Sequence, residues 1–415
     1  MPFPWYGGSW EASQVVNHMT LRLGKAHQFL VGVYTRVSLD ISLTVNPGGT
    51  DPQLDVANPD GLGQQSTDAG TVPNLKWPFS LSKTKIFPGG WTRTQDVNDL
   101  PQSKDIAAAQ QHLRRGALRE LHWHKVAEWG FVYSGSVLIS AVDADGNYQL
   151  QQLGFGDIWY FPKGVAHTIQ GLEDDNEYLL TFDDGDFNAV GVTFMVDDWL
   201  AHTPKSVIAK NFGLNETVFK NLPTTDPYIL NGTITNSSVS GINPQLSGNS
   251  SFVYRTLQHP SESVPGNGGT FYKIDSTNFP ISKTIAATYV TLKPGGLREL
   301  HWHPNAEEWL YFHQGQGRAT VFIGNANART FDFGPGDTAV FPDNSGHYIE
   351  NTSPTDDLVW IEIYKSDRVQ DISLTQWLAL TPADIVANTL KIDLSVAQGL
   401  KKEKQLLIAA NTTSG

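Results

Sequence analysis

The side chains best suited to chemistry in this sequence are histidines and glutamates in two matching sets. His122 and His124 flank Trp123, with Glu128 and His167 following; the second set is His301, His303, Glu308 and His347. In an extended strand, residues i and i+2 point to one face, so each His-Trp-His triplet can aim two imidazoles into one interior. Three imidazoles and a carboxylate form a mixed N/O donor set that suits a first-row divalent ion and leaves positions for water or substrate. Glu307 competes with Glu308 for the carboxylate role, but Glu308 keeps the Glu-Trp pairing seen at Glu128-Trp129. A lone histidine is ordinarily a packing or surface residue. Here six of the 12 histidines occupy duplicated, registered positions, which favours metal ligation.

Arg119 and Arg298 precede the first histidine of each set by three residues. That odd spacing puts them on the opposite face of an ideal strand, so a bulge or twist is needed to bring them to the metal. A guanidinium fork placed there could hold a carboxylate. The plainer reading is an ion pair with Glu120 or Glu299. Trp123 and Trp302 read as packing residues.

These residues sit in a tandem repeat. GALRELHWHKVAEW at 116–129 recurs as GGLRELHWHPNAEEW at 295–309, and GDIWYFPKGVAH at 156–167 as GDTAVFPDNSGH at 336–347. SKDIA and SKTIA upstream, and DWLAHTP and QWLALTP downstream, extend the match, so whole domains are duplicated. Short runs rich in β-branched and aromatic residues, separated by Gly, Asp and Asn turns, predict an all-β fold of two jelly-roll barrels. DADGNY at 143–148 predicts a hairpin turn. Short helices are expected only at the ends of each half, in 203–213, in 381–390 and in KKEKQLLIAA after it. The polar stretch 231–251 reads as the linker. The expected organisation is an unassigned segment 1–70, a first domain 71–240 and a second 241–415.

Composition narrows the function. The 415 residues carry 29 basic and 42 acidic side chains, a net charge of −13, so no basic stripe supports a nucleic-acid partner. No apolar run is long enough to span a membrane. An anionic substrate would need its own local positive charge. Cys is absent, which excludes disulfides, thiol nucleophiles and thiolate-bound metals. Six Asn-x-Ser/Thr sequons, at Asn215, Asn231, Asn236, Asn249, Asn351 and Asn411, lean toward a secreted glycoprotein, although no signal peptide is visible at the N-terminus.

RELHWHKVAEW with GDIWYFPKGVAH, and their second copies, resemble the bicupin family of oxalate decarboxylases and oxalate oxidases, over about residues 70 to 405. The resemblance implies two cupin barrels, two Mn2+ per chain held by the sets above, oxalate at Arg119 with Arg298 as its counterpart, use of O2, and a homo-oligomer (trimer or hexamer). It also implies a catalytic Glu362 near the second metal. Decarboxylases of this family carry a Ser-Glu pair in a lid, the Glu being the acid that protonates carbon after CO2 leaves. The matching segment here, DFNAVGVTF at 186–194, has Asn188 and Ala189 there, followed by Val190 and Gly191. Without that acid, a second electron would pass to oxygen, giving two CO2 and H2O2. The expectation is therefore an oxalate oxidase, with the decarboxylase as the alternative if Asp184, Asp186 or Glu362 supplies the proton. A non-catalytic storage or sugar-binding bicupin is a third reading, but such proteins commonly lose the ligands retained here.

Overall fold

The computed structural model describes residues 51–234 and 244–410; residues 1–50, Asn236, Asn411 and the middle of the linker lie outside them. Two sheet pairs dominate, and their strands pair antiparallel throughout. In the first barrel, one sheet runs in the order 253–255, 157–161, 128–134, 175–182, 107–114, 90–95 and 85–87. The facing sheet runs 193–195, 118–124, 166–171, 136–142 and 148–154, with 229–230 also on 118–124. The second barrel repeats this plan, with Leu297–Trp302 and Glu308–Gln314 in the places of Leu118–His124 and Glu128–Ser134. Alternation explains the arrangement: inward residues such as Val137, Ile139 and Ile169 fill the first barrel, and Ala319, Val321 and Ile349 the second.

A third apolar cluster, including Trp129, Phe131, Tyr289, Trp309 and Ile361, draws on strands of both halves. Burying each large aromatic contributes about 2–3 kcal/mol. The expected hairpin is present, with Val142 opposite Tyr148 and Gly146 at φ 77°.

Two sequence expectations need revision. The cut at 240/241 follows composition, whereas the sheets exchange strands across it. Lys76–Pro78 pairs with Asp337–Phe341 of the second barrel, and Val253–Arg255 pairs with Asp157–Phe161 of the first. Each exchanged segment covers an open sheet edge that would otherwise expose unpaired amides. Buried Lys76 locks one crossing through Asp337 at 2.8 Å and the carbonyls of Val56 and Asp332. The second revision concerns KKEKQLLIAA. Helices form at Lys205–Phe212, Ala383–Leu390 and Leu394–Gln398, but Leu407–Ile408 is a strand on Leu297–Arg298. Tertiary pairing there overrides a locally helical composition.

Candidate metal centres and active site

Each His/Glu set converges between the two sheets of its barrel. Leu118–His124 supplies His122 and His124, and Ala166–Gly171 supplies His167 from the neighbouring strand. Glu128 lies just past the bend that ends the histidine strand and opens the next strand, in the opposite sheet. The donor atoms of His122, His124, Glu128 and His167 all lie within 4.8 Å of one another, as do those of His301, His303, Glu308 and His347, and all eight residues are buried.

Hydrogen bonding fixes which nitrogens face inward. The Nδ1 atoms of His122, His167, His301, His303 and His347 donate to the carbonyls of Glu120, Val165, Glu299, Gln370 and Ser345 at 2.6–2.9 Å. His124 Nδ1 meets Thr193 Oγ1 at 2.8 Å. A carbonyl only accepts, so the Nε2 of each carbonyl-bound neutral ring is a bare lone pair. Yet His301 Nε2 lies 3.1 Å from the Nε2 of both His303 and His347. Lone pairs converging with no proton between them, with Glu308 Oε2 2.8 Å from His347 Nε2 yet in no hydrogen bond, fit a cation at their centre. His167 Nε2 likewise makes no hydrogen bond in the first cluster, although it lies 3.3 Å from Glu128 Oε2.

Burial penalises charge on these rings, and Arg119 or Arg298 adds to the effect, so His122 and His301 are held well below the usual imidazole range. Burial lowers His124 to about 4 despite Glu128. At His303 the attraction of Glu308 outweighs burial and the pKa rises. Burial opposes ionisation of Glu128 and Glu308, but the surrounding histidines hold both carboxyls well below their ordinary value.

The two centres differ just outside the ligands. Glu128 Oε1 accepts Trp159 Nε1–H at 2.8 Å, and Trp159 lies across Gly130, where a Cβ would meet its ring at 2.1 Å. The second barrel has Ala339 opposite Leu310, so the large and small partners are interchanged and no indole reaches the carboxylate. Glu308 Oε1 instead accepts Tyr364 Oη–H at 3.3 Å. The Tyr364 hydroxyl also donates to Glu362 at 2.8 Å, and Glu362 takes Thr288 Oγ1–H. Glu362 is fully buried, and burial followed by Glu308 raises its pKa. Strand register puts Ala109, Leu180 and Phe182 at the equivalent positions of the first barrel.

Arg119 and Arg298 both reach their clusters through the anticipated bulge: pairing with the neighbouring strand slips between His167 and Ile169, and between Arg298 and His301. Their surroundings diverge. Arg298 is sealed in, bonded to Asp371 at 2.8 Å with Glu362 at 3.7 Å. Arg119 lies over the Tyr228 ring at 3.8 Å, and its Nη1 meets Tyr228 O and Met195 Sδ. It lines a cavity of about 530 Å3 shared with His122, His124, Glu128 and the lid residues Asn188, Ala189, Val190 and Gly191. Asn188 bonds Asp96, Phe187 stacks on Phe182, and Val190 is fully exposed. Asp184 and Asp186 do not line the cavity, whereas Lys85, Asp198 and Asp226 do. Trp123 packs on Phe194 and Trp199, and Trp302 on Trp377, as packing residues would.

A duplicated jelly-roll barrel with a buried His3Glu cluster in each copy defines a bicupin. The Cupin family pattern matches residues 80–220 and 255–398. A probable oxalate decarboxylase of Arthroderma benhamiae is 58% identical, covering 87% of this chain and 90% of its own length. The oxalate decarboxylase OxdC of Bacillus subtilis is 44% identical, covering 86% and 92%. The solved structure of the Bacillus enzyme at pH 4.6 aligns with a TM-score of 0.82 at 42% identity, over 87% of this chain and 94% of that one. Another structure of that enzyme concerns its Mn(II) centres. The chain belongs to the bicupin oxalate decarboxylase/oxalate oxidase family. Within it, the oxidase expectation is overturned, because relatives at 44–58% identity are named oxalate decarboxylases. The lid argument weighed only Asp184, Asp186 and Glu362 as other proton sources, yet the cavity wall carries further ionisable side chains, Asp198 and Lys85 among them.

Proposed function

We propose that this chain is a manganese-dependent oxalate decarboxylase, converting oxalate and one proton to formate and CO2. The observation that carries the reading is Arg119, which lines the cavity that reaches the first His3Glu cluster and whose nearest carboxylate, Glu120, stands 3.7 Å away without a hydrogen bond to it, in a chain whose relatives are named for that activity. Mn2+ fits the N/O donors of both clusters and would be held by His122, His124, Glu128 and His167, and by His301, His303, Glu308 and His347. When bound, it supplies Lewis acidity and one-electron redox capacity to oxalate.

The protein's own groups do the rest. Arg119 fixes one carboxylate of oxalate and stabilises charge as the C–C bond breaks. Asn188, Ala189 and Val190 cap the cavity and limit water entry. The proton that replaces the departing carboxyl enters from the cavity wall, which the ionisable side chains of Asp198 and Lys85 line. Oxalate plus a proton balances formate plus CO2, so O2 is not consumed. Arg298, already neutralised by Asp371, and the Glu362–Tyr364–Thr288 network suit the second cluster to a supporting role.

Self-association agrees with exposed Trp199, Phe212, Trp377 and Leu380 on the helical segments. Secretion would place glycans on exposed Asn215, Asn231 or Asn249 but not on Asn351, whose amide is buried against Leu292 and Asp356. The functional test is reconstitution. Metal-stripped protein given Mn2+ should gain formate production from oxalate. Protein carrying two Mn per chain that leaves oxalate intact would overturn the reading in favour of a binding module.

A further inference from the structure

Beside the first cluster, on the far side of Arg119, three carboxylates meet. Glu120 comes from the histidine strand, Asp197 from the first turn of helix Val196–Ala201, and Asp226 from the loop before Ile229–Leu230. One oxygen from each lies within 4.8 Å of the others. Asp197 is only 8% exposed, and neither of its carboxylate oxygens has a hydrogen-bond partner; Glu120 Oε1 also lacks one. The nearest cation is Arg119 Nη1, 3.7 Å from Glu120. Burial and the facing Asp226 and Asp197 push the Glu120 carboxyl up to about 10, so three free carboxylates are costly here and either a proton or a cation must offset them.

The second barrel shows the same position solved differently. Glu299 accepts from Ser373 Oγ at 2.8 Å, Gln405 N at 3.3 Å and Leu406 N at 3.0 Å. The backbone amides of Glu120 and Glu299 donate to the carbonyls of Tyr228 and Leu406, so Tyr228 and Leu406 correspond. The Leu406 amide satisfies Glu299, whereas the Tyr228 amide is taken by Asp226 at 2.8 Å. The first barrel has thus added two carboxylates where the second supplies donors.

We propose that Glu120, Asp197 and Asp226 form a third cation site, distinct from the two His3Glu centres, that takes a hard divalent cation such as Ca2+. All its side-chain donors are hard oxygens, with neither imidazole nor thiolate. With one oxygen from each lying within 4.8 Å of the others, a single hard cation can reach all three. The ion ties together the strand bearing Arg119, the helix that follows the lid, and the loop bearing Tyr228, on which Arg119 rests. It is a positioning device for the cavity mouth.

The test uses Mn-loaded protein titrated with calcium chloride, followed by calorimetry, metal content after gel filtration, and thermal midpoint. One Ca2+ per chain is expected in addition to two Mn, with a midpoint that rises with calcium. Asp197→Asn, which keeps shape and removes one charge, should weaken calcium binding at least tenfold while Mn content stays at two. Asp226→Asn, at an exposed position, serves the same purpose if Asp197→Asn does not fold. Absence of calcium uptake at millimolar concentration, or equal uptake by the variant, overturns the proposal. A calcium-indifferent wild type that Asp197→Asn stabilises would show shared protons in place of a cation, and overturns it too.

Discussion

Replacing Arg119 with Gln should cost catalysis, whereas replacing Arg298 with Gln should cost the fold. Only the Nη1 of Arg119 is engaged by protein groups, at 3.3 Å to Tyr228 O and 3.5 Å to Met195 Sδ, so most of its five N–H donors are free for substrate. A bidentate, charge-assisted pair with oxalate comprises two hydrogen bonds of about 1.5–3 kcal/mol each. Glutamine retains one neutral donor, so the net loss is about 3–4 kcal/mol, or a fall in kcat/KM of about 100–1000-fold. Arg298 instead neutralises buried Asp371 and Glu362. Its removal strands two carboxylates, at about 3–5 kcal/mol of stability and roughly 10 °C in thermal midpoint. Initial rates of formate production across oxalate concentrations, with Mn content and midpoint measured on the same samples, separate the two effects. An Arg119→Gln enzyme within fivefold of wild type, beside an Arg298→Gln enzyme that is folded, Mn-loaded and inactive, would refute the assignment of the reaction to the first barrel.

Three further outcomes follow from particular contacts. Trp159→Phe removes the indole donor to Glu128 and should weaken Mn binding in the first cluster by about 10–100-fold while sparing the second, where Ala339 stands; site-resolved Mn EPR checks this, and equal weakening of both clusters contradicts it. Acidification should release Mn from the second cluster first. A depressed pKa, as at His124 (about 4), preserves the neutral ligand form as pH falls, whereas the raised pKa of His303 admits a proton earlier; Mn content after dialysis between pH 7 and 4 reads the order, and earlier loss from the first cluster would reverse the account. Lys76→Met should lower unfolding free energy by about 3–5 kcal/mol, because it strands Asp337 and two carbonyls at the strand exchange; a change below about 1 kcal/mol in urea unfolding would show that this crossing contributes little.

Much of the site was legible because duplication exposes register. Matching the two copies singled out all eight metal-ligand candidates, and the three-residue offset of Arg119 and Arg298 demanded the bulges that the pairing contains. The strand exchange was not legible, since nothing local to Lys76–Pro78 marks a partner more than 250 residues away. Some signals were present but unread. Gly130 and Trp159 against Leu310 and Ala339 is a compensating size exchange visible in the aligned copies, and it predicts unequal centres. Asp197 has Thr375 as its counterpart, which already hinted at extra acidity in the first half. The lid misled for a different reason. The missing carboxylate at Ala189 was weighed only against Asp184, Asp186 and Glu362, whereas Asp198, on the helix after the lid, folds onto the same cavity.

The central claim is that oxalate is split without net oxidation. Mn-loaded protein supplied with 13C-labelled oxalate in air, with formate and CO2 quantified by NMR and H2O2 by a peroxidase-coupled assay, tests it most directly. One formate and one CO2 per oxalate, with peroxide only at trace level, is the predicted result. Two CO2 and near-stoichiometric peroxide, with little formate, would contradict it.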